Sequence, residues 1–205
     1  MSNWLYGAIE AAIPDRKKTL IELSDGARIS YGEVFDLAGK LAAHLVRRGV
    51  APGDRVAVQV EKSWQNLALH LACLRAGAVY LPLNTAYPLA ELEYFLGDAE
   101  PAVVVARPES AEGVGALCRK IGKATVESLG PNGEGSLLAA AADAKPVPAV
   151  PRGRDDLAAI LYTSGTTGRS KGAMLTHDNL LSNARVLVDY WRFTARDVLL
   201  HALPI

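Results

Sequence analysis

Over residues 31–48 the apolar positions Val34, Leu37, Ala38, Leu41 and Leu45 return every three or four residues, which places them on one face of a helix. Ser30, followed three positions later by Glu33, offers a capping box at its start, and Gly49 offers a stop. The apolar face is read as core rather than as an interaction surface, because an ordinary helix needs one buried side. Further helices are predicted over 5–12, 64–75, 89–97, 112–120 and 179–190. Between them stand short runs dominated by apolar residues at 55–60, 78–81, 102–105 and 157–162, with a weaker one at 123–126 and another at 198–200. Short apolar strands spaced by helices predict an α/β fold, layered, with a mostly parallel sheet flanked by helices. A smaller antiparallel pair, 19–23 with 28–30, is expected around the turn Ser24-Asp25-Gly26.

Residues 145–154 carry three prolines and read as a linker. The expected division is an N-terminal α/β subdomain over 1–150 and the start of a second α/β segment over 151–205. That segment is expected to pack back against the first rather than hang from a free tether. The recurrence of helix and strand has no fixed period, so a repeat array is not predicted.

Composition narrows the partners. With 22 basic and 22 acidic residues the formal net charge is zero, and neither sign forms a block of five or more, so nucleic acid is not an expected partner. Local donors can still hold an anion at zero net charge. Half of the residues are apolar, enough for a substantial core. Cys73 and Cys118 lack the spacing of a zinc pair or a redox motif and are expected as free thiols. The four histidines are dispersed, so no metal ligands are assigned, and His44 and His70 fall inside predicted helices as structural residues. Residues 1–16 hold no signal core and no long apolar span follows, so no membrane contact is expected and the cytoplasm is the default compartment.

The chemistry concentrates in Tyr162-Thr163-Ser164-Gly165-Thr166-Thr167-Gly168-Arg169-Ser170-Lys171-Gly172. Glycines allow a sharp turn that brings backbone N–H groups to an anion, and hydroxyls with one lysine complete a polyphosphate shell. Ser164, Thr166 and Thr167 can donate to phosphate oxygens, while Lys171 can follow the β- and γ-phosphates with a mobile positive charge. The order Ser170-Lys171-Gly172 departs from the P-loop, where lysine follows glycine and precedes serine or threonine. A plain surface turn is the competing reading, but the hydroxyls, glycines and lysine gathered after an apolar strand favour ATP. Ser164 lacks the glycine flanks of a nucleophile elbow, and Asp98 and Glu100 stand too close in sequence for a glycosidase pair.

Extended through Gly172-Ala173-Met174-Leu175-Thr176-His177, the run resembles the signature of the acyl-adenylate-forming enzymes, the superfamily of acyl-CoA synthetases, peptide-synthetase adenylation domains and luciferases. The likeness continues through Arg75-Ala76-Gly77-Ala78-Val79-Tyr80-Leu81-Pro82-Leu83-Asn84 and Glu91-Leu92-Glu93-Tyr94-Phe95-Leu96-Gly97-Asp98-Ala99. Within the superfamily, Val56-Ala57-Val58-Gln59-Val60-Glu61-Lys62-Ser63, Asn84-Thr85-Ala86-Tyr87 and His177-Asp178-Asn179-Leu180-Leu181-Ser182-Asn183 are similar to the malonyl-CoA synthetases.

By resemblance, Thr163, Ser164, Gly165, Thr166, Thr167, Gly168 and Lys171 bind the nucleotide, with Lys171 and Thr167 stabilising the leaving group. His201 opens the next family motif and is a candidate pocket residue. The resemblance implies ATP with Mg2+, CoA as co-substrate and malonate or methylmalonate as the acid. It also implies that the chain is the N-terminal portion of a longer enzyme and is inactive alone. Adenine and ribose contacts, a carboxylate for magnesium, most of the acyl pocket and a small domain carrying the adenylation lysine are expected downstream. Two alternatives stand beside this reading: an adenylation domain that loads a carrier protein, and a nucleotide-binding or interaction fragment without catalysis.

Overall fold

The computed structural model describes residues 3–122, 124–163 and 169–203. Helix α1 (Trp4–Ala11) precedes β1 (Thr19–Glu22) and β2 (Arg28–Ser30), an antiparallel pair. There follow α2 (Tyr31–Arg47), β3 (Arg55–Gln59), α3 (Trp64–Ala76), β4 (Val79–Pro82), α4 (Leu89–Ala99), β5 (Val103–Ala106), α5 (Ala111–Ile121) and β6 (Thr125–Ser128). The remaining elements are α6 (Ser136–Ala141), β7 (Leu157–Thr163), β8 (Lys171–Thr176) and α7 (His177–Tyr190). Six strands form one sheet in the order β6-β5-β3-β4-β7-β8, parallel from β6 to β7 with β8 antiparallel at the edge.

Alternating side chains send each central strand to two cores. Val56, Val58, Val103 and Val105 pack with Leu41, Leu45, Leu69 and Leu74 of α2 and α3. Ala57, Leu81, Val104 and Ala106 face the other way, onto Leu92, Phe95 and Leu117 of α4 and α5. In β7, Ala158 joins the first core, but Ile160 and Tyr162 join the second. Residues two apart in a regular strand share a face; a register shift between Leu157 and Ala159 breaks that rule and turns Tyr162 towards α4.

The capping box forms as expected, Ser30 and Glu33 satisfying each other's backbone N–H groups at the start of α2. Thr176 and Asn179 repeat the device on α7. The expected strand at 198–200 is not formed. Val198 and Leu200 are 95% and 91% exposed, and no neighbouring strand among the described residues offers this apolar run a hydrogen-bonding edge. The expected strand at 123–126 stands two residues later as β6, and Lys123 lies outside the described residues.

The proline-bearing segment 145–154 has no regular secondary structure beyond one bridge between Asn3 and Arg152, yet it is packed along the helices. Arg75 donates to the Val147 carbonyl at 2.8 Å and its own carbonyl accepts from the Val150 N–H at 2.8 Å. Asn3 clips the start of α1 onto the same place, donating to the carbonyls of Leu74 and Val150 at 2.8 and 2.9 Å. Trp4 reaches Asp178 at 3.1 Å, and the Leu5 N–H faces Nδ1 of the buried His177 at 3.4 Å.

Cys73 and Cys118 are buried and unpaired. His70 stacks on Tyr80 with ring centroids 4.4 Å apart, and burial lowers its pKa to about 4, so it is neutral. No helix among the described residues is long and apolar enough to cross a membrane.

One polar cluster ties α2, β6 and α6 together. Glu127 of β6, with a side chain only 1% exposed, accepts from Arg48 Nε at 2.8 Å and from Ser136 Oγ at 2.5 Å, and lies 3.1 Å from His44 Nε2. Burial pushes the Glu127 carboxyl up, but the bonds from Ser136, Arg48 and His44 outweigh it and leave the pKa lowered. A carboxyl depressed on folding contributes stability that is present above its unfolded pKa and is lost as pH falls through the folded one. Glu127→Gln is therefore expected to cost about 2 kcal/mol at neutral pH. Urea denaturation series should show this gap closing as pH falls below about 4.

Candidate functional site

The crossovers decide where a ligand can sit. The connection leaving β3 runs to α3 on one face of the sheet, whereas the one leaving β4 runs to α4 on the other. Adjacent parallel strands whose connections diverge leave a crevice beyond their carboxyl ends. A cavity of about 560 Å³ lies there, lined by Glu61 and Lys62 after β3, Asn84 and Thr85 after β4, Leu161 of β7, and Ala202.

Its rim is tied from several sides. Gln59, buried at the end of β3, donates to the carbonyls of Asn84 and Tyr87 at 2.9 and 3.1 Å. Arg107, just past β5, spans the loops after three strands, lying 3.5 Å from Glu61, 3.5 Å from Glu109 and 3.3 Å from the Thr85 carbonyl. His201 is exposed, and its backbone carbonyl accepts from the Lys62 ammonium. The sequence-predicted pocket residue thus precedes Ala202 of the cavity lining, and the contact it makes there with Lys62 is through its backbone carbonyl.

Thr163 ends β7, and Lys171 opens β8 directly across from it in the antiparallel ladder, both side chains exposed at this same edge of the sheet. Ser164, Gly165, Thr166, Thr167 and Gly168 lie outside the described residues. The segment they belong to connects a β-hairpin: six residues of β8 intervene before α7, where the sequence pattern leads from loop towards helix. Nothing in Lys171-Gly172-Ala173-Met174-Leu175 announces a strand, since it has no β-branched residue and no clean alternation. Among the described residues no three His, Cys, Asp or Glu side chains gather to hold a metal ion.

Gly172 lets the hairpin close. A Cβ there would stand 2.9 Å from Ile160 Cγ2 and 3.5 Å from the Tyr162 ring. Below the hairpin lies α4. Tyr162 donates to Asp98 Oδ2 at 2.5 Å, and Tyr94 donates to the Ser170 carbonyl at 2.9 Å. The Arg169 guanidinium sits 5.7 Å from the centre of the Tyr94 ring. Burial, and then the Asp98 carboxylate, push the Tyr162 hydroxyl well above its ordinary range, so it stays protonated as a donor. The sequence signals Tyr94 and Asp98 only as members of the stretch 91–99 that resembles the superfamily, which assigns them no role.

Residues 10–205 match the AMP-binding enzyme family. The chain is similar to the apo crystal structure of MatB from Rhodopseudomonas palustris, at 57% identity and a TM-score of 0.95, covering 100% of this chain and 40% of that one. The ATP-bound structure of the same protein gives 57% identity and a TM-score of 0.94, covering 41% of that chain. Among curated proteins, a feruloyl-CoA synthase from an Amycolatopsis species is 42% identical over 165 residues, 80% of this chain and 32% of that protein. The chain therefore spans 32% to 41% of the length of these relatives.

Gly172→Ala forces a methyl group against Ile160, and overpacking of that kind costs about 1–3 kcal/mol. Met174→Thr on the same strand, at a side chain 65% exposed, is expected to stay within about 0.5 kcal/mol of the unsubstituted chain. Chemical denaturation of the two variants side by side checks both values.

Proposed function

The chain belongs to the AMP-binding enzyme family, and from that premise we propose that it is the N-terminal portion of an ATP-dependent acid–CoA ligase acting on malonate. What carries the reading is the match along the whole chain, at 57% identity, to a protein solved with ATP bound. Residues 1–150 form the N-terminal subdomain in this proposal, and 151–205 begin the second segment with its phosphate-binding loop.

A malonate carboxylate oxygen attacks the α-phosphorus of ATP, the bond to the β-phosphate oxygen breaks, and malonyl-AMP forms with release of pyrophosphate. The CoA thiolate then attacks the acyl carbon and AMP departs with the mixed-anhydride oxygen. Thr163, the glycine and hydroxyl residues 164–168 and Lys171 bind and orient the polyphosphate, with Lys171 and Thr167 stabilising the charge that collects on the leaving pyrophosphate. Lys171 acts by charge and is no nucleophile. Its exposure beside Thr163 suits that role, since a flexible ammonium can follow the departing group. Mg2+, when bound, would neutralise charge on the nucleotide; among the described residues no three His, Cys, Asp or Glu side chains gather to hold it. His201 belongs to the acyl or nucleotide wall at the cavity mouth.

In the complete enzyme, Lys171→Ala is expected to slow malonyl-AMP formation by on the order of 10²–10³-fold. Thioester formation from supplied malonyl-AMP should be largely spared. Pyrophosphate release and acyl-CoA formation, followed separately, test the assignment; equal losses in the two half-reactions would reject it. Supplying malonate, methylmalonate, acetate and ferulate with either CoA or a carrier protein tests the substrates. Preference for ferulate, or loading of the carrier alone, would replace this reading by another of the same family.

Residues 1–205 by themselves are expected to bind polyphosphate without making malonyl-AMP or malonyl-CoA. Adenylation needs acid, α-phosphate and metal held together in a closed site. Product mass spectrometry on the monodisperse chain decides this, and sustained turnover would refute it.

A further inference from the structure

The stem of the hairpin has little of its own to fix its direction. β8 is an edge strand bonded only to β7 among the described residues, and Lys171, Ala173 and Met174 are exposed. The ladder sets how the two strands face each other, and β7 is bonded to β4 at Ala159, but beyond that point neither pairing sets how the hairpin is tilted. That tilt decides where the loop and Lys171 point.

Two side chains of α4 meet the stem from below, one at β7 and one at the residue just ahead of β8. Tyr94 and Asp98 are four residues apart and so share a face of the helix. Asp98 holds the hydroxyl of Tyr162, the residue before Thr163 on the ascending strand, at 2.5 Å. Tyr94 holds the carbonyl of Ser170, the residue before Lys171 on the descending one, at 2.9 Å. The two contacts are linked, because the Tyr94 and Tyr162 rings meet edge-on at 6.4 Å and Phe95 packs on Tyr162 at 4.6 Å. The shift in β7 that turns Tyr162 towards α4 is what makes the first contact available.

We propose that Tyr94 and Asp98 are positioning residues, a two-point clamp on the shoulders of the phosphate-binding loop that aims Lys171 at the leaving pyrophosphate. The proposal rests on reading residues 163–171 as that loop. The clamp touches neither nucleotide nor acid; it acts through Tyr162 and Ser170. Misplacement of a charge by about an ångström costs as much as 10²-fold in rate, so loosening one of two anchors is expected to cost about tenfold.

In the complete enzyme, Tyr94→Phe and Asp98→Ala should each lower kcat for adenylation about tenfold, leave KM for the acid unchanged, and leave the thioester step within about twofold. Asp98→Asn keeps an amide oxygen that accepts from Tyr162 and should restore most of the rate. In the 205-residue chain, amide hydrogen exchange should quicken in peptides covering 157–163 and 169–176 for Tyr94→Phe, while 55–59 stays protected. Equal loss in both half-reactions, with Asp98→Asn as damaging as Asp98→Ala, would mean a merely structural role and overturn the clamp. So would unchanged adenylation or unchanged exchange. Should Asp98→Ala fail to fold, Tyr94→Phe, which removes a single oxygen, carries the test. If the unsubstituted complete enzyme forms no acyl-AMP, the functional reading has failed, and the exchange of residues 169–176 alone still decides whether α4 holds the stem.

Discussion

β3, β4 and β5 carry apolar side chains on both faces, so each must be covered twice, and helices arriving from opposite sides of the sheet do this. The rest of the architecture depends on that double cover. Strands joined through helices run parallel, their carboxyl ends collect on one edge, and the connection that leaves β3 for one face parts from the one that leaves β4 for the other. The cavity between Glu61 and Thr85 is the space left by that parting. Residues from strands far apart in sequence reach its rim because the same edge receives them all.

Most of this layering is legible in the chain itself. The helical stripe of α2 with its Ser30 cap, and the valine-rich runs of β3 and β5, lie where periodicity and local hydrogen bonding put them. What escapes sequence reading escapes for definite reasons. β8 has no pattern of its own and becomes a strand only because β7 offers it an edge. Conversely, Val198-Leu199-Leu200 has the composition of a strand and no edge to pair with, so it stays irregular. The three prolines of 145–154 do break regular structure, yet the segment is fixed by Arg75 and Asn3, donors that lie far away in the sequence.

The site divides in the same way. Thr163 and Lys171 are marked by residue type and spacing, and the structure sets them face to face. The residues beneath them, Tyr94 and Asp98, lie in a stretch that resembles the superfamily but assigns them no role; what they hold is seen only when the fold lays that helix under a hairpin. Asp98 illustrates the limit well. Sequence gives it a neighbour in Glu100, while its partner in space is Tyr162. A motif records the groups that meet the ligand and is silent about the groups that hold them.

The clip between the first residues and the far end of the chain sets an order of assembly. Trp4 and Leu5 find their partners in Asp178 and His177, separated from them by 174 and 172 positions. A ribosome adding about 5–20 residues per second makes that pairing impossible for roughly 10–30 s after α1 emerges. Tyr6, fully buried, meets Phe35 of α2 and Arg75 of α3, so that side of α1 can be covered before α7 is made. α1 is therefore seated in two stages, first on α2 and α3 and then on the start of α7. Only the second stage, the closing of Trp4 and Leu5 on Asp178 and His177, records that synthesis has passed the start of α7.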